Sequence, residues 1–142
     1  MDNMRGRNPS RARGTAAVEM AFVLPILLLL VMGAIEYGWL LHNVQQVTNA
    51  ARQGARIASL PDGGASSRAQ ETMVKLLSEA KLPTTPPPTI EPCSIDVGGG
   101  VTVPGVRVQI SVSTEGLLLI NAPSLLPVPD TIKATVTMAK ES

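Results

Sequence analysis

Few residues in this chain could do chemistry, and the most telling are two carboxylates set in apolar surroundings. Glu19 opens a run of fifteen residues, Ala21 to Ile35, that contains no polar side chain, and Glu36 closes it. A carboxylate at the edge of such a run must cap the helix, pair with a cation, or reach back to water along its own stem. For Glu36, close to Tyr37 and Trp39, snorkelling to a headgroup layer is the cheapest solution. Glu19 instead calls for a helix cap or a cationic partner.

The rest of the inventory points away from catalysis. There is one His, His42, and one Cys, Cys93. A Cys/His zinc cluster, a redox Cys pair and an intrachain disulfide are therefore excluded. His42 has no Ser/Asp arrangement around it and reads as a solvated residue just beyond the apolar run. Cys93 reads as an inert thiol by default, or as a bridge to another chain in an oxidising compartment. Gly98-Gly99-Gly100 lacks the Gly-Lys-Ser/Thr that a phosphate loop needs, and no helix opens after it. The reading is of no enzyme, no cofactor, no metal and no small-molecule substrate.

The elements that must hold these residues follow from composition. The chain has 142 residues, with 12 basic and 11 acidic side chains. Arg5, Arg7, Arg11 and Arg13 crowd into residues 1–14, and the remainder is mildly acidic, so it presents no surface suited to nucleic acid. From Met20 to Leu41 only Glu36 is charged. Those 22 residues span roughly 33 Å as a helix, enough to cross a hydrocarbon core. Tyr37 and Trp39 stand where an interfacial aromatic belt would place them. The arginines on the leading flank predict a cytoplasmic N-terminus and an exported C-terminal part. A cleavable signal peptide competes with this reading, but no small-x-small site follows the apolar run.

The helix is expected to continue to about Ser59 with a possible bend at Pro25, since Leu40, Val44, Val47, Ala51, Ala55 and Ala58 recur on one face. Ala50, Ala51, Gly54, Ala55 and Ala58 make this face one of small residues, suited to close helix packing. It could meet a neighbouring subunit or cover the chain's own domain. Pro61-Asp62-Gly63-Gly64 is the expected stop.

Beyond it, Ser67 and Gln70 read as a capping box opening a short helix with an apolar stripe from Ala69 to Ala80. Residues 83–92 hold five prolines and read as a stiff connector. Strict alternation over Val106–Val112 and Ile132–Met138 predicts half-buried strands, with a hairpin turning at Gly98–Gly100. Leu117 to Ile120 is a short apolar run, to be buried or used as a contact. The plan is α+β: a basic leader 1–14, a transmembrane helix 15–41, an amphipathic extension 42–60, and a small exported domain 61–142. No aromatic follows Trp39, so that domain's core must be small.

Three blocks in this helix resemble a known family. They are Arg13-Gly14-Thr15-Ala16-Ala17-Val18-Glu19-Met20-Ala21-Phe22-Val23-Leu24-Pro25, then Gly33-Ala34-Ile35-Glu36-Tyr37-Gly38, then Asn49-Ala50-Ala51-Arg52-Gln53-Gly54-Ala55-Arg56. In order and spacing they are similar to the TadE-like minor pseudopilins of the tight adherence (Flp pilus) machinery of bacteria. The resemblance covers residues 13–58. It implies a single-pass protein of the bacterial inner membrane, whose partners are other pilin or pseudopilin subunits and the assembly platform. It also implies cleavage by prepilin peptidase after Gly14, five residues before Glu19, freeing the amine of Thr15. Met20 departs from the family, where Phe or Tyr commonly follows the Glu. Glu19 would then set register against a neighbour's new N-terminal ammonium. The alternatives are an unprocessed bitopic membrane protein with an exported binding domain, and a secreted module released by signal peptidase.

Overall fold

The computed structural model describes residues 9–117 and 129–141, with side chains from Gly14 onward. Arg5, Arg7 and the run Leu118-Leu119-Ile120 lie outside the described residues, as do the side chains of Arg11 and Arg13. The observed order is helix, helix and three strands, an α+β fold: α1 (Pro9–Ala58), α2 (Ala65–Glu79), β1 (Thr89–Asp96), β2 (Thr102–Ser113) and β3 (Thr131–Ala139). The chain forms two compact units, Met1–Tyr37 and Gly38–Ser142.

In the second unit the strands make one antiparallel sheet in the order β1-β2-β3. Alternation along β2 turns Val106, Val108, Ile110 and Val112 inward, opposite Met138, Val136, Ala134 and Ile132 of β3. Arg107, Gln109 and Lys133 fall on the solvated face, as a sheet covered on one side requires. The covered side meets α2, through Met73 and Leu77, and the second half of α1, through Val47, Ala50, Ala51 and Ala55. Met73, Leu77, Ile110, Val47, Val108 and Val112 are the largest fully buried side chains. Each contributes about 1.5–3 kcal/mol relative to exposure. With no aromatic in it, the core is filled by aliphatic side chains and Met73. A Cβ added at Gly54 would lie 2.2 Å from the Met73 sulfur.

Local signals explain most of the boundaries, with three differences from the sequence expectation. The start of α2 is not a Ser67/Gln70 box: the helix opens two residues before Ser67, with Gly64 as N-cap and no side-chain cap bond. Asp62 does the organising from outside the helix. Its Oδ1 accepts from the Gly64 N–H at 3.0 Å, and its other oxygen pairs with Arg68. Those two partners, the Gly64 bond foremost, hold the Asp62 carboxyl below its ordinary value. The pairing is therefore present at neutral pH and is lost as pH falls through that lowered value. Gln70 instead donates to the Pro88 carbonyl at 3.4 Å and ties the proline segment to α2.

The second difference is that β1 begins at Thr89, inside the connector expected over 83–92, so Pro92 stands within a strand. Strand β1 lies at the sheet edge, where a missing N–H is tolerated. The third is that β2 runs through Pro104 and Gly105 as one strand. Pro104 is paired with Ser94 of β1 but stands just beyond the β3 ladder, which starts at Gly105. The turn between β1 and β2 needs positive φ at Gly98, Gly99 and Gly100, which is why three glycines are there. Past β3, Lys140 donates to the Pro104 carbonyl and Glu141 to that of Ser59, both at 2.9 Å, fastening the chain end to the turn after α1.

The Gly54–Met73 approach sets a sign test within one helix. Alanine at an open helical glycine gains about 1 kcal/mol of propensity, whereas overpacking a fixed core loses about 1–3 kcal/mol. Gly54→Ala is therefore expected to lower the unfolding midpoint in detergent. Gly38→Ala, with nothing within 4 Å of the new Cβ, is expected to leave it unchanged or raise it.

Candidate functional site

The candidate site is helix α1, whose residues divide by what covers them. From Val18 to Ile35 the large apolar side chains are exposed: Phe22 is 73% accessible, Ile26 65% and Leu30 64%. None of the most apolar stretch is buried. Gly14–Ala58 is the one helix among the described residues long and apolar enough to cross a membrane. A buried core helix would have these leucines covered, so the uncovered stretch is a candidate membrane span.

Gly14, Thr15 and Glu19 are all exposed at the start of this stretch. The Gly14–Thr15 bond lies within the helix, beside a residue that weakens helix by about 1 kcal/mol relative to Ala. One turn separates Thr15 from Glu19, so both fall on one face. Thr15 is engaged in an interaction of its own.

Glu36 differs from expectation. It is only 2% accessible, so the protein covers it rather than a headgroup layer. The reason is phase: Glu36 stands four, seven and eleven residues before Leu40, Asn43 and Val47, all buried, and so belongs to the covered stripe of α1. It is not without a partner.

The small-residue face left two occupants open in the sequence. Ala50, Ala51, Ala55 and Ala58 are buried among the chain's own elements, and Gly54 abuts Met73. That face is covered within the chain. Its helix packing is packing against α2 and the sheet.

Around the start of the second unit, Trp39 donates its Nε1–H to the Leu117 carbonyl at 2.9 Å and stacks on His42, with ring centroids 5.9 Å apart. His42 is exposed. Cys93 is a free, half-buried thiol on edge strand β1. Among the described residues no group of three His, Cys, Asp or Glu could hold a metal. One feature escaped the sequence reading: Asn43 is buried and its Nδ2 has no hydrogen-bond partner. An Asn between Leu40 and Val47 on an apolar stripe was the available signal.

An orphaned buried donor costs about 1–3 kcal/mol. Asn43→Leu, with the same number of side-chain heavy atoms in the same branched shape, is therefore expected to raise the unfolding midpoint in detergent, and a lower midpoint would contradict the cost assigned to the unpaired amide.

Comparison with protein-family models matches residues 14–56 to the TadE-like protein family. The match covers most of α1 and stops before α2 and the sheet. Comparisons with curated proteins and with solved structures found no significant match.

Proposed function

We propose that this chain is a minor pseudopilin-like component of a bacterial tight adherence (Flp-type) pilus assembly system. The observation that carries the reading is a coincidence of position. The TadE-like match falls on the same helix whose apolar surface the protein leaves uncovered. A structural role suits that family better than catalysis, and no group of described residues argues otherwise.

The proposed mechanism is insertion, trimming and lateral packing. Arg5, Arg7, Arg11 and Arg13 keep the leader in the cytoplasm and direct the C-terminal part outward. Prepilin peptidase cuts between Gly14 and Thr15. The exposed segment from Val18 to Ile35 parks the subunit in the inner membrane, then exchanges lipid for helices of neighbouring subunits. Because Ala50, Ala51, Gly54, Ala55 and Ala58 are occupied by the chain's own core, this upstream apolar surface carries the lateral contacts. Glu19 sets register. A carboxylate at the edge of the hydrocarbon is costly unless paired, and the ammonium freed at Thr15 of a neighbour is a partner of matching charge. Platform proteins and other pilin subunits are the partners, with neither nucleic acid nor a small molecule involved.

Two substitutions separate the steps. Glu19→Ala is expected to leave membrane insertion and processing intact while piliation, scored by electron microscopy, is lost. Wild-type piliation in that variant would remove the register role. Gly14→Val is expected to leave the chain at its full-length mobility on a gel, and a normally shortened product would refute the cleavage site.

A further inference from the structure

Four large apolar residues of the second unit stand exposed among those described: Trp39, Leu41, Val97 and Val101. They form two groups at opposite ends of the sheet. Val97 and Val101 flank the Gly98–Gly100 turn before β2, whereas Trp39 is bonded to the turn that follows β2. Twelve residues of strand separate those ends, roughly 36 Å at the usual rise.

The Trp39 group is built as a fixed platform. Its indole N–H is already spent on the Leu117 carbonyl, so the ring can enter a poorly hydrated layer without stranding a donor. The accepting turn is itself held: Leu117 donates its N–H to the Thr114 carbonyl at 3.0 Å. Thr114 donates its N–H to Asp130 at 3.0 Å and its hydroxyl to Pro129 at 2.6 Å. Leu40, between Trp39 and Leu41, points into the core, which leaves its two neighbours turned outward on other sides of the helix. Residues 38–46 contain no Lys or Arg, and Glu115 is the only charge in the Thr114–Leu117 turn.

We infer that Trp39, Leu41 and His42, with the Thr114–Leu117 turn fastened to them, form a lipid-interface collar. It seats the start of the second unit in the phospholipid headgroup layer. The occupant follows from continuity, because the collar begins two residues beyond Tyr37, where the uncovered apolar helix ends. Lacking cationic residues, the collar partitions by amphipathic and apolar contact and not by attraction to anionic lipid. This rests on the membrane-span reading and adds to it a headgroup contact at the start of the second unit.

Trp39 is the only tryptophan, so it reports its own depth. The full chain, reconstituted in phosphatidylcholine vesicles, would be titrated with lipids brominated either near the head or near the end of the acyl chain. The expected result is stronger loss of Trp39 emission with the shallow bromines, unchanged by adding phosphatidylglycerol or salt. In a Cys93→Ser background, an environment-sensitive label at Glu115→Cys is expected to report less water than one at Val101→Cys. Equal water exposure at the two labels, or no quenching of Trp39 in a chain that resists alkaline extraction, would overturn the collar while leaving the span intact. Stronger quenching by the deep bromines would also overturn it. Release of the chain by alkaline carbonate would remove the membrane span itself, and the collar with it.

Discussion

The large apolar side chains of helix α1 from Val18 to Ile35 are left uncovered by the protein that carries them. Leucine, isoleucine and phenylalanine in that state each forgo about 1.5–3 kcal/mol relative to burial. Summed along the segment, this exceeds the net stability of a typical small domain. In water such a segment is driven to associate, because burying it gains free energy that the lone chain does not collect. A bilayer or the apolar faces of other helices would supply that burial.

The second half of α1 has the opposite task. There the face is made of alanine and glycine, so a helix can lie against Met73 and the valines of β2 at close range. The core there holds no aromatic side chain and is filled by aliphatic residues and Met73. One helix thus changes from large exposed residues to small buried ones near Tyr37, where the two compact units divide.

Much of this was legible in the sequence because it rests on periodicity and local stops. The apolar run, the spacing from Leu40 to Ala58 and the alternation of β2 and β3 each report their own structure. What was not legible depended on partners remote in sequence. Small residues reveal that a helix is approached closely but not by whom, so the occupancy of the Ala50–Ala58 face required Met73 and the sheet. Ser67 and Gln70 fit a capping box locally, yet Asp62 and Gly64 had already begun the helix. Pro92 argued against a strand until the edge position of β1 was known. Glu36 was assigned to water by its distance from the aromatic belt, whereas helical phase assigns it to the covered stripe. The proposed processing at Gly14 and the proposed register role of Glu19 depend on an enzyme and on neighbours, neither of which a single chain contains.

The central claim is that the uncovered helix belongs to a subunit trimmed for assembly. Its most direct test is the intact mass and N-terminal sequence of the protein taken from the membranes of its own host. The account predicts a chain of 128 residues, 14 fewer than the full 142, beginning Thr15-Ala16-Ala17. A membrane-bound chain still beginning at Met1, or one beginning beyond residue 34, would contradict it.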